Sequence, residues 1–456
     1  MHRNPPWLTL CLVLAAGFLF TTALPVAGEA PQAPDLADTA SQFSVRTAAD
    51  LINYGADLDA AVEIAPNVYQ ARGTGNTQMV TTPEGNVIID TGTSRHAERH
   101  RELLGAVSDG PIRYVVVSHA HNDHAGGVPT WTDEGTQVVA HARYPEAQRY
   151  LNELMPYQTN RNLILFFGRN PVPQGSVAER AAQAQTRVEP DILVNDLFEF
   201  ELGGTRFEVI ATPGAEGDDA VSVWLPESRI LFTGDTLGPI FPMWPNLYTL
   251  RGEKMRFAAE YIQTLDRLIA LEPEILVPSH FEPIEGAAEV RAGLQRIRDA
   301  VAYVHDAVVD GMNSGRTVHE LMRDIQLPPE LELTEAHGKV SWVVRSIWEG
   351  YAGWFYLDST TELYPAPVSD MYGELAELSG GPDVLARRAA EHVQAGRPVQ
   401  ALHLVEIALA ADASHRAALE ARLAALEQLL ESAAGVNFYE VRWLTHRIAL
   451  TRAQLE

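Results

Sequence analysis

From Ala60 onward the chain sets short apolar runs between turn residues, the signature of half-buried strands. Such runs occupy Val62 to Tyr69, Thr77 to Thr82 and Asn86 to Asp90, with Pro83-Glu84-Gly85 as the hairpin turn between the last two. A helical stretch at about Arg95 to Val107 precedes a continuous apolar strand, Tyr114 to Val117. Further strands are predicted at Gln137 to Ala140, Leu197 to Leu202, Thr205 to Ala211, Ala220 to Leu225, Ile230 to Thr233 and Ile275 to Pro278. Strand clusters punctuated by helices over roughly 230 residues predict packed sheets with outer helices.

Beyond about Gly286 the period changes from that of strands to that of helices. Helical spacing is clearest at Val290 to Met312, Thr317 to Ile325, and from Asp383 to the end. Breaks at Ala395-Gly396-Arg397-Pro398 and Ala411-Asp412-Ala413-Ser414 divide the last segment into separate helices. This Ala- and Leu-rich pattern resembles tetratricopeptide packing but holds only about two helical pairs, fewer than an independent solenoid needs. A helical domain docked on its neighbour or on a partner subunit is expected, with Gly380-Gly381-Pro382 as the hinge into it.

The N-terminus points to export. Arg3, an apolar run from Trp7 to Leu24 and the small-residue site Val26-Ala27-Gly28 are laid out as a signal peptide, and the alternative is an uncleaved membrane anchor. Residues 1–28 are therefore assigned to the signal and 29–59 to an N-terminal tail and leading segment. Residues 60–286 form the strand-rich catalytic domain and 287–456 the helical domain. No stable membrane span is expected after signal removal, and the location is secreted or periplasmic. The single cysteine, Cys11, lies inside the signal, so any metal site in the mature chain must use nitrogen and oxygen ligands. A formal net charge of -26 excludes a nucleic-acid partner, because no basic stripe is present to neutralise phosphates.

The densest chemistry follows the strand at Tyr114 to Val117, in Ser118-His119-Ala120-His121-Asn122-Asp123-His124-Ala125-Gly126-Gly127. Side chains two apart at a strand end point the same way, so His119 and His121 are placed to grip one ion. If a helix follows, Asp123 and His124 face a second ion. Gly126 and Gly127 allow a close backbone approach there. This is the point at which the sequence resembles the metallo-β-lactamase superfamily, whose signature is His-x-His-x-Asp-His after an apolar strand.

The resemblance implies an αββα sandwich and a site for two divalent metal ions, with zinc the expected metal, although such ligands also accept manganese or iron. It implies further ligands at later strand ends. Glu216, in Thr212-Pro213-Gly214-Ala215-Glu216, completes the first sphere, with Asp218 and Asp219 as competitors for that role. Asp235, in Leu231-Phe232-Thr233-Gly234-Asp235, bridges both ions, and His280 serves the second. Asp123 and Asp235 are also counted as the catalytic carboxylates. Asp90 is either a hydrogen-bonding support for the site or an ordinary turn residue.

Within the superfamily the chain is most similar to the zinc-dependent alkyl sulfatases, in Pro213 to Glu216, Asn246 to Gly252, Tyr351 to Phe355, Asn160-Arg161-Asn162 with Phe166-Phe167-Gly168, and in domain order. This similarity implies a helical dimerisation domain, hence a homodimer, and a small-molecule substrate that is an organic sulfate ester. By matching position Asn246 and Arg251 hold the sulfate, and Tyr351 or Tyr356 adds a contact. Arginine's planar fork of donors suits an oxyanion and lets an acidic protein capture an anion locally. Leu163 to Phe167, Phe241, Met243 and Trp244 are candidates for an alkyl slot, with core or subunit interface as the alternative. Two features depart from that family: Asp235 stands where the alkyl sulfatases carry Glu, and no sterol-carrier-like domain follows the helical one. The expected chemistry is hydrolysis by a metal-activated water. A lactone, thioester or β-lactam hydrolase is the alternative, and a non-catalytic exported scaffold is a third reading.

Overall fold

The computed structural model describes residues 54–168 and 187–456. The expected signal, residues 1–28, and most of the leading segment lie outside the described residues. The first sheet runs in sequence order: β1 (Val62–Ala65), β2 (Val68–Ala71), β3 (Thr77–Thr82), β4 (Gly85–Ile89), β5 (Ile112–Val116), β6 (Gln137–His141) and β7 (Ile192–Val194). The second is ordered β13-β12-β11-β10-β9-β8, from β8 (Leu197–Leu202), β9 (Thr205–Ala211), β10 (Val221–Leu225), β11 (Ile230–Gly234), β12 (Ile275–Pro278) and β13 (Ile284–Glu285). The stretch read as one run from Val62 to Tyr69 is in fact a hairpin, because Asn67 takes a positive φ of 67° and reverses the chain after Pro66.

Valines and phenylalanines at alternate positions fuse the two sheets face to face. Val80, Val87, Ile89, Val116 and Val139 of the first meet Phe207, Val209, Val223, Phe232 and Val277 of the second. The opposite face of the first sheet, with Ile88, Val115 and Val117, is covered by Leu103, Leu104, Trp131 and Tyr144 from helical segments. The second sheet is covered by Leu265 and Leu268 of the helix Ala258–Ala270. The result is an αββα sandwich with an all-helical region after it.

Strand structure ends at Glu285, and the 27-residue helix Ala287–Asn313 begins two residues later. Its buried stripe, from Val290 through Leu294, Ile297 and Val301 to Val308, packs with Val343, Val344 and Ile347 of the helix Val340–Ala352 against the sandwich. After Gly380 and Gly381, both at positive φ, come helices Pro382–Gln394, Pro398–Ala411 and Arg416–Ser432, divided at the two breaks the sequence marks. A further break before the helix Phe438–Leu455 escaped the sequence reading; Asn437 caps that helix through the backbone N–H of Glu440. Phe438 and Tyr439 at its start pack on Leu165 and Phe166, so the C-terminal helix reaches the sandwich. Among the described residues no helix is long and apolar enough to cross a membrane.

Candidate metal centre

The parallel strands β4 and β5, and the parallel pair β11 and β12, deliver their C-terminal ends to one edge of the sandwich. Backbone bonds stitch the sheets together there: Val221 N–H donates to Ser118 O at 2.8 Å and Asn76 N–H to Ser279 O at 2.7 Å. Asp90, His119, Asp235 and His280 therefore emerge side by side although separated by up to 190 positions in sequence, as expected of a site at strand C-termini. Gly127 makes the next turn possible. A Cβ there would sit 2.3 Å from the carbonyl oxygen of Thr91, so only glycine lets these loops close.

Three groups of ligand atoms result, each mutually within 4.8 Å: His119, His124 and Asp235; Asp123, His124 and His280, which shares His124 with the first; and, separately, His121, Glu216 and Glu253. Nε2 of His119 faces Nδ1 of His121 at 2.8 Å. Oδ2 of Asp235 lies 3.3 Å from Nε2 of His124 and 3.2 Å from Nε2 of His280, between the two imidazoles. Asp123 stands 3.7 Å from both of those nitrogens. Nε2 of His124, Oδ1 of Asp235 and Nδ1 of His280 are buried and have no hydrogen-bond partner among the described residues. Such orphaned atoms are costly unless something satisfies them, and a nitrogen and oxygen donor set of this kind suits a divalent cation. The residues present fit the metal that the fold implies.

All seven predicted ligands are brought to this edge. Of the three carboxylates considered for one position, Glu216 faces His121, at 3.6 Å. Asp219 instead accepts from the backbone N–H of Ala120 at 2.9 Å, and its burial raises its pKa to about 6. Asp218 pairs with Lys254. Asp90 is a support and not a bare turn residue: its carboxylate accepts from Ser118 N–H and Oγ, at 2.7 and 2.8 Å, and binds Nδ1 of His124.

Arg251 and Asn246 line a narrow cavity of about 60 Å³ together with His121, Asp123, Asp235 and His280. Arg251 donates to Glu216 at 2.8 Å and contacts Glu253 at 3.0 Å, and it lies over the rings of Phe166 and Tyr439. Arg256 closes the box, bonding Glu216, Glu253 and the carbonyl of Asn246. Burial would raise the pKa of Glu253, but Arg251, His121 and Arg256 reverse this and hold its carboxyl well below the usual range. His337 is driven down to about 3 by burial and by the charges of Arg251 and His280, so it presents a neutral ring to the cavity.

Two expected substrate contacts need correction. Tyr351 is 58% exposed and its hydroxyl meets Nε2 of His305 at 2.8 Å. Tyr356 bonds Arg345 and Glu349. Neither lines the cavities at the cluster, because their hydroxyls are held by partners on the helical region instead. Phe241 and Trp244 also leave the proposed slot for the core against the long helix, whereas Phe166, Phe167 and Met243 do line cavities.

Sequence reasoning missed Glu253, Arg256, His337 and Tyr439. The first two had a signal, since Glu253 and Arg256 follow Arg251 closely in the sequence. His337 and Tyr439 had none, because packing of the helical region alone brings them in.

Residues 71–280 match the profile of the metallo-β-lactamase superfamily and residues 317–444 that of alkyl sulfatase dimerisation. A linear primary-alkylsulfatase of Pseudomonas sp. (strain ATCC 19151) is 29% identical over 79% of this chain and 71% of its own length. An (R)-specific secondary-alkylsulfatase of Pseudomonas sp. is 28% identical over 83% of this chain and 61% of its own, so the chain spans less than two thirds of that relative. The solved structure of the stereoselective inverting sec-alkylsulfatase Pisa1 from Pseudomonas sp. covers 91% of this chain and 70% of its own at 24% identity, with a TM-score of 0.74. The fold, the ligand-bearing edge and these likenesses agree: the chain carries a metallo-β-lactamase domain followed by an alkyl sulfatase dimerisation domain and is homologous to the Pseudomonas alkylsulfatases.

Proposed function

We propose that the protein is an exported, homodimeric hydrolase that uses two zinc ions to cleave organic sulfate monoesters. The observation that carries the reading is Arg251, a partly buried guanidinium that shares one cavity with His121, Asp123, Asp235 and His280. A forked donor beside a cation site suits a sulfate oxyanion better than it suits a neutral lactone or lactam carbonyl.

His119, His121 and Glu216 would hold one ion and Asp123, His124 and His280 the other, with Asp235 shared. Bound there, divalent ions supply Lewis acidity and bring a water's pKa toward neutrality. The chain's own residues do the rest. Asp90 orients His124. Glu216 and Glu253 fix the direction of Arg251 through charge-assisted bonds, so its remaining donors are pre-aimed and little reorganisation is needed as charge gathers on the ester. Asn246 adds an amide whose oxygen is buried and has no partner among the described residues; turning the amide over presents its NH₂ to an anion. The neutral ring of His337 borders the cavity as a hydrogen-bonding group without adding a second fixed cation.

Export is supported by the N-terminal apolar run, and the homodimer by the dimerisation domain and the exposed apolar residues that follow Gly353. The deciding experiment is inorganic sulfate release by the zinc-loaded protein from a panel of sulfate esters, run beside lactones, thioesters and β-lactams, with elemental analysis of the same sample. Sulfate release that a chelator abolishes and zinc restores is expected. Turnover of the acyl substrates alone would transfer the assignment to that class.

A further inference from the structure

We propose that the alcohol half of the substrate bears a hydroxyl group, recognised by Gln158 and Asn162, so that the enzyme favours hydroxylated organic sulfates over plain alkyl sulfates. This deepens the sulfatase reading above and rests on it.

Gln158 and Asn162 are one turn apart on the helix Met155–Leu165 and so share a face. That face borders a cavity of about 420 Å³ which reaches His121, Asp123 and Arg251. Nε2 of Gln158 and Oδ1 of Asn162 are both buried, and among the described residues neither has a hydrogen-bond partner. Gln158 as a whole is only 9% exposed. Two amides orphaned on one helix face, beside a cavity that opens onto the reacting centre, are a cost the fold has no structural reason to bear. A ligand that supplies the missing partners removes it.

The rest of the lining sets the shape of that ligand. Leu151, Met155, Phe166 and Phe167 give the cavity apolar walls beside the two amides. The complement is a carbon skeleton with a hydrogen-bonding group set along it, attached to a sulfate that faces Arg251. A hydroxyl both donates and accepts, so it serves the pair whichever way the amide planes are turned. A plain alkyl chain would enter against the same walls and strand both amides. Sites built to bond a substrate hydroxyl reject the analogue lacking it more strongly than apolar pockets reject a missing methylene.

The test compares hexyl sulfate with the isomeric hydroxyhexyl sulfates, measuring sulfate release by the zinc-loaded full chain. At least one isomer is expected to exceed hexyl sulfate in kcat/KM by about 10-fold or more, and Gln158→Leu and Asn162→Leu are expected to bring that ratio close to one. The idea is overturned if hexyl sulfate is turned over as well as every isomer, or if both variants keep the wild-type ratio. Calorimetry of hexanol and the hexanediols with the wild-type protein reads the same preference without any sulfate chemistry. Absence of sulfate release from every ester would sink the sulfatase reading instead. In that case tighter binding of a diol than of hexanol supports the hydroxyl subsite, and equal binding overturns it. If a variant fails to fold, the wild-type ratio and the calorimetry decide.

Discussion

Oδ2 of Asp90 lies 2.9 Å from Nδ1 of His124, with both side chains fully buried. This contact fixes which nitrogen of His124 carries a proton and leaves Nε2 turned toward Asp235 and Asp123. Asp90 itself is held at a positive φ of 54° just after β4, and the hydroxyl and backbone N–H of Ser118 bind its carboxylate. Supports of this kind orient a ligand and raise its basicity. Asp90→Asn keeps the shape but removes the charge, and is expected to weaken metal binding by about 10- to 100-fold. Competition against a chromophoric chelator measures it; an unchanged affinity would return Asp90 to the status of a turn residue.

Charge alone does not explain Arg251. Glu216 and Glu253 contact it within 3.0 Å, and two aromatic rings flank it, so its plane is fixed as well as its position. Arg251→Lys keeps a cation for the two glutamates but loses the planar fork. Sulfate-ester kcat/KM should fall by about 10²-fold, while metal content stays the same. An equal fall with a lactone substrate would show that Arg251 organises the cluster and does not read the sulfate.

Between Gly353 and Leu378 the chain exposes apolar side chains in close succession: Trp354 at 68%, Leu357 at 81% and Leu378 at 78%, with Tyr364 and Val368 between them. A monomer rarely leaves so much apolar surface in contact with water, and a covered interface is its usual explanation. The proposed homodimer should therefore bury this segment. Light scattering is expected to give twice the chain mass for the wild type and a shift toward the single chain for the double variant Leu357→Glu, Leu378→Glu. An unchanged dimer would place the interface elsewhere.

How much of this was legible in the sequence depends on the range of the interactions involved. His119, His121, Asp123 and His124 fall within six positions, so local spacing announced them. Asp235 and His280 were reachable because each ends an apolar strand, where side chains emerge at the sheet edge. Glu253 was open to a reading by local spacing, two positions beyond Arg251. Tyr439 was not, since its place beside Arg251 depends on where the helix Phe438–Leu455 docks, which is a matter of interdomain packing. Tyr351 and Tyr356 fail for the same reason in reverse: position along the chain suggested a site contact, and packing within the helical region gives them His305 and Glu349 as partners.

His100 gives a test of the fold that does not depend on the metal centre. It lies buried on the helix Ala97–Gly105, with Nδ1 2.9 Å from Oγ1 of Thr77 and Nε2 3.2 Å from the carbonyl oxygen of Arg72. The neutral ring satisfies both contacts by donating to the carbonyl and accepting from the hydroxyl. Burial lowers its pKa to about 4, with some help from the charge of His96 and against the pull of the Arg72 carbonyl. In the unfolded chain the ordinary value of about 6.5 applies. Below that value the unfolded chain takes up a proton that the native state refuses, so the stability contributed by neutral His100 is whole above pH 6.5 and lost as pH falls toward 4. The loss over that window should be on the order of 2–3 kcal/mol. His100→Gln should be less stable than wild type at pH 7.5, and the gap should narrow by pH 5. Urea midpoints of both proteins at the two pH values measure it, and the pH dependence of the metal ligands cancels in the difference. A gap that stays constant would mean that His100 takes up its proton without penalty inside the fold.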